Sequence, residues 1–192
     1  MVVGGNGKRW TFAGITRNTL PPLLVLTVVA VVSGLVLESF ESTLLSHPSL
    51  LILVPVTIGT AGNLGSLLAS RMSTAFHLGT LSFEPTDDVL LGNSIATIVL
   101  ALSLFPTVGV GAWLLAVFTT GTDLRLVTVV VVAVVSGAGL SVLAIAVTLV
   151  TTYGAYRSGI DPDDVVIPVV TVTCDVLGVL MLFVAVRAFV PA

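Results

Sequence analysis

Charged residues are scarce in this chain: only 9% of its 192 residues are Asp, Glu, Lys or Arg, whereas 56% are hydrophobic. The mean hydropathy is +1.17. Soluble domains carry about 25% charged residues, so this chain has too little polar surface to cover a soluble globule. The composition therefore predicts a multi-pass protein of the cell membrane, with the lipid bilayer as its surroundings.

Two further scarcities exclude other classes. Lys and Arg together number seven and form no cluster, whereas a nucleic-acid-binding face needs a basic patch or stripe, so we expect no nucleic acid as a partner. The single cysteine, Cys174, cannot form a disulfide within the chain. Its position in an apolar run is typical of a small residue in a packed helix.

Five apolar runs are each long enough to cross a bilayer, which takes about 20 helical residues. The predicted fold class is an all-α integral membrane protein with five transmembrane helices. A short cytosolic tail is expected over residues 1–19 and a single five-helix domain over residues 20–190. The runs cover residues 20–37, 50–69, 89–118, 126–150 and 165–186.

The third run is too long for a simple span. Its length at about 1.5 Å per residue exceeds a hydrocarbon core of about 30 Å. We therefore expect this helix to tilt, to protrude or to kink near Pro106, Gly109 and Gly111. Two short re-entrant pieces are the alternative.

The basic residues predict the orientation of the chain. With five spans, five of the seven fall on the side of the N-terminus, at Lys8, Arg9, Arg17, Arg71 and Arg157. Arg125 and Arg187 fall opposite, so the positive-inside rule predicts N-in and C-out. Glu38 and Glu41 then lie at an outer mouth, where they either attract cations by their field or are solvated residues at a loop edge.

One acidic residue interrupts the last apolar run. Asp175 lies near the middle of residues 165–186, where an ionised side chain costs about 2.5 to 3.5 kcal/mol on insertion scales. Such residues usually face an ion path or a wet cavity. Pro168, Thr171 and Gly178 share its helical face. A structural acid paired within the helix bundle is the other possibility, but no Lys or Arg occurs at a matching depth.

The second run carries a stripe of small and polar residues. Its three glycines, at positions 59, 62 and 65, predict a loosened helix beside a cavity or a close helix crossing. Polar residues follow at helical spacing on one face, at Asn63, Ser66, Ser70, Ser73 and His77. This stripe fits either an ion path or close packing of membrane helices.

The stretch Asp161-Pro-Asp-Asp164 precedes the last run. It predicts a helix start, with Asp161 as N-cap, proline at the first helical position and acids in the first turn. Attraction of cations at a cytoplasmic mouth is a secondary role for Asp161.

Three segments share their pattern with one transporter family. The first is Gly62-Asn-Leu-Gly-Ser-Leu-Leu-Ala-Ser-Arg71 with Met-Ser-Thr-Ala-Phe-His-Leu-Gly79 after it. The second is Asp161-Pro-Asp-Asp-Val-Val-Ile-Pro168 with Thr171-Val-Thr-Cys-Asp175-Val-Leu-Gly178, and the third is Phe40-Glu41. They resemble the second-helix signature, the last-helix signature and the Phe-Glu pair of the MgtE-type magnesium transporters, especially half-size archaeal members and eukaryotic solute-carrier relatives.

The resemblance implies a five-helix domain that works as a dimer or a tandem pair, with the second and fifth spans lining the ion path. Asp175 would hold the ion, with Asn63 close to it. Thr171 is a further candidate ligand on the face of Asp175. The candidate residues of the path and its mouths are Gly62, Ser66, Gly178, Glu41, Glu38 and Asp161.

The chemistry of Mg2+ fits this sparse site. Mg2+ takes octahedral oxygen ligands and gives up water reluctantly, so one or two carboxylates that hold a partly hydrated ion suffice. One chain offers one central acid, and two chains related by symmetry would offer two. We therefore expect Mg2+ as the transported substrate, no resident cofactor, and a homodimer or a heterodimer with a second half-size chain.

Two other functions remain to be weighed. A proton-coupled or cation-coupled carrier of another small solute could use Asp175 as its coupling site, but few aromatic or basic residues occur in the spans to bind a solute. An enzyme is not expected. Ser66 and His77 share a helical face but lie three turns apart, too far to form a nucleophile and base within one helix.

Overall fold

The computed structural model describes residues 12–82, 84, 87–121 and 124–190. Five of the helices in this part of the chain are long and apolar enough to cross a membrane, and these are α1, α3, α4, α5 and α6. The sixth, α2, is short and lies between the first two spans. The helices are α1 (Phe12–Glu38), α2 (Glu41–Ser46), α3 (Pro48–His77), α4 (Asp88–Thr119), α5 (Leu126–Ser158) and α6 (Pro162–Phe189).

This architecture confirms the predicted five-span, all-α membrane protein. The helices extend beyond the apolar runs that predicted them, since α3 continues to His77 and α5 to Ser158. An apolar run reports only the part of a helix that matches the hydrocarbon core, and helical hydrogen bonding continues past it. Helix α1 begins at Phe12, so residues 12–19 of the expected tail are helical. Residues 1–11, including Lys8 and Arg9, lie outside the described residues.

The third span is one continuous helix, and the re-entrant alternative was wrong. Helix α4 runs through Pro106, and its 32 residues give a length of about 48 Å at the usual rise. Gly109 serves close packing here. A Cβ atom at this position would lie 2.7 Å from the Cα of Val130 and 3.1 Å from the Cβ of Ala133 on α5.

The expectation of a loosened second span was also wrong. Helix α3 is continuous through its glycines. Gly65 allows close packing of the helices, because a Cβ there would lie 2.5 Å from Val170 Cγ1 and 3.3 Å from Ala144 Cβ. The backbone hydrogen bonds of α3 are therefore kept, and the missing side chains let neighbouring helices approach.

Helix α5 is central to the bundle, where it packs against α3, α4 and α6. Helix α3 also packs against α4 and α6, and α1 packs against α6. At the end of the bundle where α1 and α6 finish, the ring of Phe40 meets that of Phe183 edge-on, with centroids 5.1 Å apart. This contact joins the segment before α2 to the last helix.

A carboxylate fixes the start of α4. Asp87 Oδ1 accepts hydrogen bonds from the backbone N–H groups of Val89 at 2.8 Å and Leu90 at 3.1 Å. Its Oδ2 accepts from the backbone N–H of Ser82 at 2.6 Å and from the Ser82 hydroxyl at 2.7 Å. These donors, first those of Ser82, lower the pKa of Asp87 to about 2 because they stabilise the ionised form.

Candidate ion path along helices α3 and α6

Helices α3 and α6 run antiparallel and touch closely near their midpoints. Gly62 on α3 faces Cys174 on α6, and a Cβ at Gly62 would lie 4.0 Å from the Cβ of that cysteine. One turn further, Gly65 approaches Val170 and the Sγ of Cys174. The glycines of the second-helix signature thus set the closeness of the two helices.

A pair of hydroxyl groups joins the helices one turn from this contact. Ser66 Oγ and Thr171 Oγ1 are 3.2 Å apart, and the Thr171 hydroxyl donates to the backbone oxygen of Ile167 at 3.0 Å. A hydroxyl has one hydrogen to donate. Ser66 must therefore be the donor to Thr171, and the remaining lone pairs of Ser66 can face a cation.

Asn63 and Asp175 are the sequence neighbours of the facing pair Gly62 and Cys174, so the antiparallel register brings them to the same depth. Both lie near the midpoint of their helix. Asn63 is exposed on the single chain and Asp175 is partly exposed. Among the described residues, neither side chain has a hydrogen-bond or ion-pair partner. Their oxygens remain available to a ligand.

Gly178 extends the contact toward the other end of α6. A Cβ there would lie 2.7 Å from Ile58 Cγ1 on α3 and 3.1 Å from Leu140 Cδ2 on α5. The glycine on the face of Asp175 is therefore buried between three helices. It supports the backbone beside the site and does not line an open space in the single chain.

The same register ends in a contact between a histidine and an aspartate. His77 Nε2 lies 3.3 Å from Asp161 Oδ1, where α3 ends and α6 is about to begin. Helix α6 starts at Pro162, directly after Asp161, as the sequence predicted. The Asp161 carboxylate is thus held by a neighbouring imidazole as well as standing before a helix start.

The two acids at the opposite end of the bundle share a groove. Glu38 at the end of α1 and Glu41 at the start of α2 both line a groove of about 560 Å³, together with Pro55 of α3. Both side chains are exposed. Glu38 and Glu41 lie a full half of α3 away from Asn63, so they do not belong to the same cluster as Asp175.

These oxygens suit a hard cation. A carboxylate, an amide oxygen and hydroxyl oxygens are ligands that Mg2+, Mn2+ and Ca2+ accept, whereas soft metals prefer thiolates. Within the described residues, no group of three His, Cys, Asp or Glu side chains could hold a metal ion together. The sequence profile of the MgtE divalent cation transporters matches residues 54–185. The chain belongs to the MgtE family. No curated protein matches it significantly.

The match to the MgtE profile runs from α3 to α6 and so includes both helices of the path. Membership assigns the chain to multi-pass membrane transporters of divalent cations. Of the residues predicted for the site, the structure brings together those at the middle of α3 and α6, namely Gly62, Asn63, Ser66, Thr171 and Asp175. Gly178 packs in the core beside them, while Asp161, Glu38 and Glu41 lie at the two ends of the bundle.

Sequence reasoning missed two partnerships in this MgtE domain. The Ser66–Thr171 hydroxyl pair and the His77–Asp161 contact both follow from the antiparallel register of α3 and α6. Helical periodicity within each run gives the faces but not the register between runs. If the two signature segments are aligned antiparallel, with Asn63 beside Asp175, both contacts are predicted.

Proposed function

We propose that this MgtE-family chain transports Mg2+ as a homodimer, along a path lined by α3 and α6 of both copies. Asp175 holds a partly hydrated ion, Asn63 supplies an amide oxygen, and Ser66 and Thr171 contribute hydroxyl oxygens. Family membership supports the transport of divalent cations. The observation that carries the finer proposal is the shared depth of Asn63 and Asp175 on a face that the single chain leaves uncovered.

The uncovered face supports a dimer. The polar residues Asn63 and Ser70 on α3 are exposed, and Asp175 on α6 is partly exposed. In a single chain these polar groups would contact lipid, where an unsatisfied polar group costs several kcal/mol of free energy. A second copy covers them and brings a second carboxylate to the axis, so that two negative charges balance one divalent cation.

The donor set supports Mg2+ as the ion. Mg2+ keeps several of its waters and is typically bound through one or two carboxylates. Two Asp175 side chains with neighbouring amide and hydroxyl oxygens can hold such a hydrated ion through its water molecules.

Mg2+ uptake into proteoliposomes tests the proposal. The comparison is between the wild-type chain, Asp175→Asn and Asp88→Asn, which makes the same chemical change at an exposed position in the first turn of α4. We expect Asp175→Asn to lower uptake at least about tenfold, corresponding to about 1.4 kcal/mol, and Asp88→Asn to leave it unchanged. Equal melting temperatures and elution volumes ensure that folded dimers are compared.

Unchanged uptake by a folded Asp175→Asn dimer would contradict the proposed ion site. Competition by Mn2+ and Co2+ in the same vesicles measures the selectivity. If either ion is taken up in clear preference to Mg2+, the transporter remains a divalent cation transporter but the assignment of Mg2+ is wrong.

A further inference from the structure

A second cavity lies apart from the ion path, between α2 and the C-terminal end of α6. Its volume is about 420 Å³. Arg187 lines it, together with residues of α2 and the following His47. We propose that this cavity binds the phosphate group of a membrane lipid.

Arg187 supplies the positive charge. Its guanidinium lies over the ring of Phe183, with Cζ 5.2 Å from the ring centroid. A contact with an aromatic face favours the guanidinium position and leaves its N–H groups free to bind a ligand. Within the part of the chain that the structure describes, Arg187 has no acidic partner. Arginine in this state is suited to bidentate binding of a phosphate.

Hydroxyl groups of α2 line the other side of the cavity. Ser42 and Thr43 contribute hydroxyls that have no hydrogen-bond partner among the described residues, and each can donate to an anion. The Ser46 hydroxyl donates to the backbone oxygen of Ser42 at 2.8 Å. This wall therefore presents donors, as a phosphate oxygen requires.

His47 adds an unsatisfied nitrogen to the same wall. Its Nδ1 is buried and has no hydrogen-bond partner among the described residues. Buried polar atoms almost always have a partner, so each orphaned atom points to a bound water, ion or ligand. His47 and Arg187 both line the cavity.

The acidic residues nearby do not line this cavity. Glu38 and Glu41 line the groove on the other side of α2, while the hydroxyl-bearing face of α2 turns to Arg187. The short helix thus separates an acidic groove from a basic cavity. An anion in the cavity meets a cationic side chain and neutral donors.

The place in the fold favours a lipid as the source of the phosphate. The cavity lies at the end of a spanning helix, where headgroups meet protein, and Phe183 and Val186 provide apolar walls beside its polar groups. A basic side chain in a pocket between transmembrane segments can bind a lipid headgroup. The cavity also holds more than a phosphate ion alone.

Native mass spectrometry of the full chain in detergent tests this site. The probes are phosphatidylglycerol, a galactosyl diacylglycerol that lacks phosphate, and inorganic phosphate. We expect wild-type protein to retain phosphatidylglycerol in preference to the galactolipid, and Arg187→Gln to lower that retention about tenfold, as for loss of one charge-assisted hydrogen-bonded pair. Arg125→Gln is the matched control, because Arg125 is an exposed arginine just before α5 and does not line the cavity.

Each outcome decides between the possibilities. Equal retention of the two lipids, or an equal loss in both arginine variants, overturns the site. Displacement of the lipid by inorganic phosphate would assign the cavity to free phosphate and overturn the lipid source. Arg187→Lys keeps the positive charge but lacks the planar guanidinium, so we expect it to retain phosphatidylglycerol at a level between those of wild type and Arg187→Gln. If Arg187→Gln does not fold, Arg187→Lys and Ser42→Ala are compared with wild type instead. The readout is binding, so failure of this proposal is separate from failure of the transport proposal.

Discussion

At the scale of single residues, Asp87 shows how one carboxylate can order both a loop and a helix. Its Oδ1 caps α4, and its Oδ2 holds Ser82 five residues upstream. The residue lies just outside the spanning helix and is largely buried. Because all four donors favour the ionised carboxylate, folding and ionisation of Asp87 are linked.

The linkage predicts a pH dependence of stability. The pKa of Asp87 is lowered from 3.8 to about 2, so its stabilising effect is present above pH 4 and is lost as the pH falls toward 2. We expect Asp87→Ala to lower the melting temperature in detergent at pH 7 and the difference from wild type to shrink steadily between pH 4 and pH 2. The measurement is a series of thermal melts across this range.

Asp88→Asn is the control for the capping prediction. It removes a negative charge from the neighbouring residue of the same helix turn but leaves the cap intact. A difference between Asp87→Ala and wild type that stays constant down to pH 2 would show that the ionised cap is not the cause.

Residues such as Asp87 are hard to assign from sequence alone. The stretch before the third span contains acids at positions 84, 87 and 88, and either aspartate could cap a helix. Which one does so depends on the path of the preceding loop, which brings Ser82 to Asp87. Asp175 was easier to single out, because an acid in the middle of an apolar run has few explanations.

At the scale of helices, glycine sets how closely α4 and α5 cross. A Cβ at Gly109 would meet the backbone of Val130 at 2.7 Å, and a backbone atom cannot rotate away as a side chain can. Two residues further along α4, a Cβ at Gly111 would meet nothing within 4 Å. The two positions therefore separate steric effects from effects of helix propensity.

We expect Gly109→Ala to destabilise the protein by about 1 to 3 kcal/mol, the usual cost of overpacking a tight contact. Gly111→Ala should leave stability unchanged or slightly raised, because alanine is the better helix former. Unfolding in mixed micelles of increasing denaturing detergent measures both. Equal stability of the two variants would mean that α4 and α5 can separate without cost at this crossing.

The sequence predicts that the five spanning helices exist, but not the short helix between them or the regularity of each span. Long apolar runs specify spans because the bilayer thickness sets their length. Helix α2 has six residues and escaped prediction, since no apolar run of spanning length marks it. The three glycines of α3 were expected to loosen it, yet Gly62 and Gly65 pack against α6 and the helix stays regular. Without knowledge of the neighbouring helix, the spacing of the glycines does not show whether they loosen their helix or allow close packing.

At the scale of the whole molecule, the exposed face of α3 and α6 determines the proposed assembly. Leu67 lies one turn from Asn63 on this face and is 43% exposed in the single chain. Val150 on α5 is 71% exposed. It belongs to a helix whose other side packs against α3, α4 and α6.

Cysteine cross-linking tests the dimer at these two positions. The only native cysteine, Cys174, is 1% exposed, so it should react little. We expect Leu67→Cys to form covalent dimers with a short bifunctional thiol reagent in membranes, and Val150→Cys to remain monomeric. Dimers from Val150→Cys alone would place the interface on α5 and contradict the proposed path.

The unbroken antiparallel contact of α3 with α6 has a mechanical consequence. The two helices touch from Gly178, near the middle of α6, to the His77–Asp161 pair, and a Cβ at Gly65 or Gly178 would already lie 2.5 to 2.7 Å from a neighbouring atom. They therefore form a stiff unit. If the path lies between two copies as proposed, we expect it to open and close by pivoting of whole copies, opposed by the contact between the copies and by the surrounding lipid.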